Sequence, residues 1–378
     1  MNSLLNNPIK TIACPFSFIC NEAALRIRIF QIQQVVIDSN RWNNSESMIK
    51  QIVLKSRPVG KSTESNFETR LVEIPDVAEG EVRLVAHTFS VDPYLRGRMS
   101  DAKSYVAPFQ VGEAIVSGLI AQVVESKADN LKVGDYVMER LPWQEEMVVP
   151  AKGLQVVDGK IAPLSYYLGI LGMPGLTAYF GLLDIGKPQK GETVVVSGAA
   201  GAVGMVVGQI AKIMGCRVIG IAGDDDKVNY LLKELNFDSV INYKTVENLE
   251  AALVLACPSG VDVYFDNVGG EISDAVVAQI NNGSRIIICG QISLYNATSQ
   301  PMGPRIQPIL LKRSALMQGF IISRYASRFP EGVKQLEQWI AEGKQTYKQT
   351  ITRGFENLPK AFIGLFEGKN MGKALVEI

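Results

Sequence analysis

The chain has 378 residues, 47% of them hydrophobic and 20% charged, with 38 basic side chains against 38 acidic ones. That balance leaves no net charge to recruit nucleic acid or an anionic membrane. No run of about 18 apolar residues offers a membrane span. The only histidine, His87, removes most histidine-dependent chemistry and, as a strand residue, is expected to be satisfied structurally.

Residues 1–47 do not read as globular. "TIACPFSFIC" has the apolar length of a signal, but Pro15 interrupts it and no small-residue cleavage site follows. A polar stretch, "DSNRWNNSES", comes next. The segment is expected to be a poorly ordered extension or sequence upstream of a misassigned start. Of five cysteines, no two form a CxxC pair, and Cys216, Cys257 and Cys289 fall in or beside predicted elements, where burial is expected. Nothing indicates an oxidising compartment, and a cytoplasmic location is the expectation.

From Met48 the chain runs in short strands broken by Gly, Pro and Asp: "KQIVLKS", "EVRLVAHTFSV", "AIVSGLIAQVVES" and "GDYVMERL". These predict a β-rich, partly open barrel over 48–170. After "GMPGLTAYFGLLDIG" strand and helix alternate. "TVVVSG" precedes a helix at Val203–Met214, "CRVIGIAG" one near Lys227–Leu235, "SVINY" one near Glu247–Ala256, and "VDVYFDNVG" one near Ile272–Ile280; "SRIIICG" and the strand "ALMQGFII" follow. That order predicts an α/β unit over 171–328, a doubly wound parallel sheet of the Rossmann type. Residues 329–378 contain strands again and are expected to return to the first domain.

Ala199, Gly201 and Gly204 fit [GA]-x-G-x-x-G between a β-branched strand and a helix. Small residues there let a pyrophosphate reach backbone N–H groups at the helix's positive end. The next strand ends in Ala222 and Gly223, where an NAD-binding unit usually has a carboxylate. Lys227 follows one turn later and Tyr243 after the third strand, a cation and a hydroxyl suited to a 2′-phosphate. NADP(H) is therefore the expected cofactor. Asp224, Asp225 and Asp226 are read as caps and dipole partners of the following helix.

With these motifs, "VDPYLRGRMSD", "LGMPGLTAYFGLLDIG", "YFDNVGGE", "ICGQISLYNAT", "QGFII" and "GKNMGKALV", the chain from about Ile49 to Ile378 resembles the zinc-independent medium-chain dehydrogenase/reductases. More closely, it is similar to the NADPH-dependent curcumin reductases and the prostaglandin/leukotriene (alkenal/one) reductases. The resemblance implies a GroES-like catalytic domain beside the nucleotide domain. It implies a cofactor site of Gly201, Ala202, Val203 and Gly204 at the pyrophosphate, with Gly223, Lys227 and Tyr243 about the 2′-phosphate. Asn267, the run Cys289, Gly290, Gln291, Ile292, Ser293, Leu294 and Tyr295, then Phe320, Ile321, Ile322 and Asn370 complete the set. It also implies pairing of two copies through the last strand of the nucleotide domain, and "ALMQGFII" is an apolar edge suited to a homodimer.

Zinc-dependent relatives need Cys and His ligands, but "TFSVDPYLR" lacks the Cys and "VGEAIV" the His, so no metal is expected. Reduction of a conjugated C=C asks for less apparatus. Hydride adds at the β-carbon, charge develops as an enolate, and hydroxyl donors stabilise it. Tyr295 is the leading donor, with Tyr94 and Tyr105 closing the cleft from the other domain. Arg96 and Arg98 are candidates to orient an acidic substrate group or to form structural ion pairs. The expected activity is NADPH-dependent reduction of α,β-unsaturated ketones and aldehydes, small-molecule conjugated carbonyls, with quinone reduction as the alternative.

Overall fold

The computed structural model describes residues 48–378, and the expectations for residues 1–47, Cys14 and Cys20 among them, lie outside the described residues. In chain order, the first part comprises β1 (Ile49–Leu54), β2 (Phe67–Val72), β3 (Glu81–Ser90), α1 (Tyr94–Arg98), β4 (Val116–Ser126), β5 (Tyr136–Pro142), β6 (Glu146–Pro150) and β7 (Gln155–Val157). β1 and β2 form an antiparallel ribbon, joined to the rest by Ile52 N donating to Trp143 O at 2.8 Å. The larger sheet runs β14-β15-β3-β4-β5-β7, where β14 (Gln349–Arg353) and β15 (Lys373–Glu377) come from the end of the chain, with β6 also on β3. Period-2 burial along β3, with Val82, Leu84 and Ala86 inward, packs it around Trp143, whose Nε1 donates to Ser117 Oγ at 2.8 Å.

The alternating half begins with α2 (Met173–Phe180), followed by β8 (Thr193–Ser197), α3 (Gly204–Ile213), β9 (Arg217–Ala222), α4 (Asp225–Lys233), β10 (Ser239–Asn242), α5 (Leu249–Ala256), β11 (Val261–Asp266), α6 (Gly270–Val277), β12 (Ile280–Ile288), α7 (Gln307–Arg313) and β13 (Leu316–Gly319). All strand pairs here are parallel, in the order β10-β9-β8-β11-β12-β13. Every residue of β8 is buried, as a strand covered on both faces requires. The order reverses between β8 and β11, which opens a crevice at their carboxyl ends, where ligands of such sheets bind.

α8 (Phe329–Ala341) packs on α2, with Trp339 6.1 Å from Tyr179 and Gly332 against Leu176 and Phe180. The chain then adds β14 (Gln349–Arg353), α9 (Leu358–Phe366) and β15 (Lys373–Glu377), the last antiparallel to β3.

Two elements differ from expectation. α6 stops at Val277, and Ile280, expected to end the helix, pairs with Val261 in the sheet. An apolar residue there satisfies a helix face and a buried strand alike, so periodicity does not separate them. β13 is only four residues long, because Phe320–Ile322 leave the sheet.

Candidate active site

The crevice is one cleft of about 640 Å³ between the ends of the parallel sheet and the β3–α1 and β15 region. Its floor is the small-residue turn after β8. Gly198 has φ +59°, and a Cβ on Gly204 would meet Gly198 O at 2.3 Å, so both positions need glycine. Gly372 N donates to Ala200 O at 2.8 Å, so the strand leading to β15 closes directly on this turn. Gly201, Ala202, Val203 and Gly204 line the cleft at the N-terminus of α3, whose free N–H groups favour an anion.

At one end lie Gly223, Lys227 and Tyr243. A Cβ on Gly223 would come 2.9 Å from the Tyr243 ring, so the glycine lets that ring lean over the end of β9. Lys227 Nζ donates to Gly368 O at 2.5 Å and sits 3.4 Å from Asp224 Oδ2. Asp224 Oδ1 accepts from Lys227 N at 2.8 Å and caps α4, while Asp225 accepts from Asn242 Nδ2 at 2.8 Å. The acidic run is thus engaged locally, as its place before a helix suggests.

At the other end the loop after β12 is held by a buried carboxylate. Asp266, 0% exposed, accepts from Ser197 Oγ (3.0 Å), Tyr264 Oη (2.9 Å), Val268 N (3.0 Å), Gly269 N (2.9 Å) and Gln291 Nε2 (3.1 Å). Gln291 therefore braces Asp266 and does not line the cleft, and neither does Leu294. Both side chains turn toward Gly269 and Gly270 instead. Asn267, Cys289, Gly290, Ile292, Ser293, Tyr295, Phe320, Ile321, Ile322 and Asn370 do line it.

Tyr295 is half-buried, and its hydroxyl accepts from Gln291 N at 3.3 Å, which leaves its own proton to donate elsewhere. Burial raises its pKa. Tyr94 lies across the same cleft, its pKa pushed up to about 12 by burial and then by the charge of Asp92. Tyr105 stands at the rim, 64% exposed. Cys289 also faces the cleft, with burial pushing its thiol up to about 12, whereas Cys216 and Cys257 are buried as expected.

Sequence reasoning missed several lining residues. Asp92 and Lys373 form a buried pair at 2.8 Å, and Arg140 stands 6.0 Å over the Tyr94 ring. Met173 and Thr177 come from α2. The flanking motifs "VDPY" and "GKALV" were the available signal for the pair.

Arg96 and Arg98 take neither role expected of them. Arg96 donates to backbone carbonyls and Asn296, and Arg98 donates to Ala107 O at 3.0 Å and lies 4.0 Å over Phe109. Carbonyl oxygens, an amide oxygen and a ring engage these guanidinium groups instead. His87 bonds Thr88 Oγ1 at 2.7 Å and meets Tyr136 edge-on, outside the cleft. Among the described residues no three His, Cys, Asp or Glu side chains converge as a metal-ligand set.

The model for the N-terminal domain of oxidoreductase matches residues 50–157, and that for zinc-binding dehydrogenase matches residues 202–341. The putative NADP-dependent oxidoreductase YfmJ of Bacillus subtilis is 56% identical over 87% of this chain and 97% of its own length. The NADPH-dependent curcumin reductase of Escherichia coli is 42% identical (86% and 96%), and prostaglandin reductase 1 of Bos taurus 45% (87% and 98%). The crystal structure of CurA from Vibrio vulnificus in complex with NADPH superposes with a TM-score of 0.83 at 46% identity, covering 87% of this chain and 98% of that one. Escherichia coli quinone oxidoreductase, at 19% identity and a TM-score of 0.69, shares the fold. The chain belongs to the zinc-independent medium-chain dehydrogenase/reductases, in the family of the curcumin and prostaglandin reductases.

Proposed function

We propose that the chain is an NADPH-dependent reductase of the conjugated C=C bond in α,β-unsaturated ketones and aldehydes. The observation that carries this reading is that two tyrosines, Tyr295 and Tyr94, line one cleft with a glycine-lined nucleotide cradle. The names of relatives at 42–56% identity support it.

The residues present suit the cofactor. Val203 and Gly204 leave backbone N–H groups open to a pyrophosphate beside Gly201 and Ala202, and Lys227 with Tyr243 offers charge and hydroxyl to a 2′-phosphate where no carboxylate ends β9. NADPH, when bound, supplies the hydride for the substrate's β-carbon. The chain's part is electrostatic: the Tyr295 hydroxyl, with Tyr94 opposite, donates to the carbonyl oxygen as enolate charge gathers there. Phe320 to Ile322 and Met173 give the substrate end an apolar wall that limits water. A proton at the α-carbon completes the saturated carbonyl product.

Turnover of an enone compared with a simple quinone, products identified by mass, tests the reading. Faster quinone turnover, with the C=C of the enone left intact, would replace it.

The same proposal includes a homodimer. β13 ends the parallel sheet, Leu316 on it is 45% exposed, and Leu311 just before it is 81% exposed. A monomer at micromolar concentration in sedimentation would refute that part. The three described cysteines are free thiols, which suits a reducing compartment such as the cytoplasm.

A further inference from the structure

The helix that carries Tyr94 and the turn that carries Tyr295 are joined directly, outside the cleft. Arg96 on α1 is 5% exposed, and its Nε donates to Oδ1 of Asn296, the residue after Tyr295, at 3.0 Å. Its Nη2 donates to Gly60 O at 2.8 Å and Pro58 O at 3.2 Å. Gly60 lies against the same turn, since a Cβ there would be 3.5 Å from Thr298 Cγ2 and 3.9 Å from Asn296 O. One guanidinium thus ties three segments, with Arg96 and Asn296 themselves 200 residues apart in the chain.

The chemistry of the contact is unusual for a fold element. A buried guanidinium is costly unless its charge is met, and Arg96 meets carbonyl and amide oxygens without a carboxylate in ion-pair reach among the described residues. Its planar fork can serve several acceptors at fixed angles, which an ammonium cannot. The Tyr295 turn needs such a hold. Its near side is fixed by Ser293, whose N and Oγ both donate to Val268 O. Beyond Asn296, residues 297–300 are exposed, and the far side is held by the bond to Arg96 together with Ala297 N donating to Leu294 O at 3.0 Å.

We propose that Arg96 and Asn296 form a clasp that sets the placement of Tyr295 against Tyr94 across the substrate, which makes both of them positioning residues. The proposal rests on the reductase reading of the cleft. The clasp makes no contact with the pyrophosphate turn or with Lys227 and Tyr243, so most of the cofactor's affinity is expected to survive its loss.

The test uses the full chain with Asn296→Ala, Asn296→Asp, Tyr295→Phe and the Tyr295→Phe/Asn296→Ala double variant. Asn296→Ala is expected to lower enone kcat/KM about tenfold or more, with kcat sharing the loss and NADPH Kd within about twofold. Asn296→Asp keeps an acceptor for the guanidinium and should recover most of it. The double variant should be no slower than Tyr295→Phe within about twofold, because the clasp acts through that hydroxyl. Wild-type kcat/KM in Asn296→Ala, or losses that multiply in the double variant, would overturn the clasp. Amide hydrogen exchange over residues 292–297 gives a readout free of turnover: it should accelerate in Asn296→Ala and return in Asn296→Asp, and unchanged exchange would overturn the clasp. If the wild-type chain reduces no enone, the functional reading falls, and the exchange result still decides whether the clasp exists.

Discussion

Lys373 Nζ lies 2.8 Å from Asp92 Oδ1, with the two side chains 1% and 8% exposed, at the edge of the cleft. The ammonium also donates to Val91 O at 2.9 Å, and the Ser90 hydroxyl donates to Asp92 Oδ2. The pair joins the first residue of β15 to the residue two before Tyr94, so it fixes where α1 begins.

Removing one partner of such a pair strands a buried charge. Lys373→Met should therefore lower unfolding stability by about 3–5 kcal/mol, and Asp92→Asn in the same chain should recover part of that. Chemical denaturation measures both. A single variant within about 1 kcal/mol of wild type would show the pair to be dispensable.

Lys227 is expected to discriminate between cofactors. Lys227→Ala should weaken NADPH binding by roughly 1.5–3 kcal/mol and leave NADH binding nearly unchanged. Equal losses for both, measured by fluorescence titration, would move the 2′-phosphate elsewhere. The lysine's bond to Gly368 O occupies one of the three N–H groups of its ammonium.

The pH profile follows from burial. A tyrosine donates only while protonated, and a raised pKa extends that form to higher pH. Tyr94 is held up to about 12 and Tyr295 is raised above its usual value. Enone kcat should therefore lose its tyrosine donors only above the ordinary tyrosine pKa of about 10. A basic limb below about pH 9 that vanishes in Tyr295→Phe would contradict these assignments.

What was legible in the sequence follows from local chemistry. The turn after β8 could be read because glycine, a β-branched strand and a helix occur in succession, and Asp224 could be read as a cap from its place before α4. α2 escaped because "MPGLTAYF" is apolar nearly all round, with six of its eight residues buried, and shows no helical stripe. Lys373–Asp92 and Arg96–Asn296 escaped for a different reason. Each joins residues 200 or more apart, and only the tertiary fold brings them together. In the sequence Gln291 and Leu294 belong to one continuous run with their neighbours, whereas a tight turn sends successive side chains in different directions.

Tyr295 is the residue on which the chemistry turns. If its hydroxyl stabilises enolate charge, Tyr295→Phe should lower kcat and kcat/KM together by on the order of 2.7–4 kcal/mol, less if another donor substitutes, with cofactor affinity little changed. A rise in KM alone would make it a ground-state contact.

The position of transferred deuterium tests the central claim most directly. With NADPH carrying deuterium at the transferable position and an enone as substrate, the product should be the saturated ketone or aldehyde, its carbonyl retained and the label on the β-carbon. Deuterium on the carbonyl carbon, with an alcohol as product, would contradict the account.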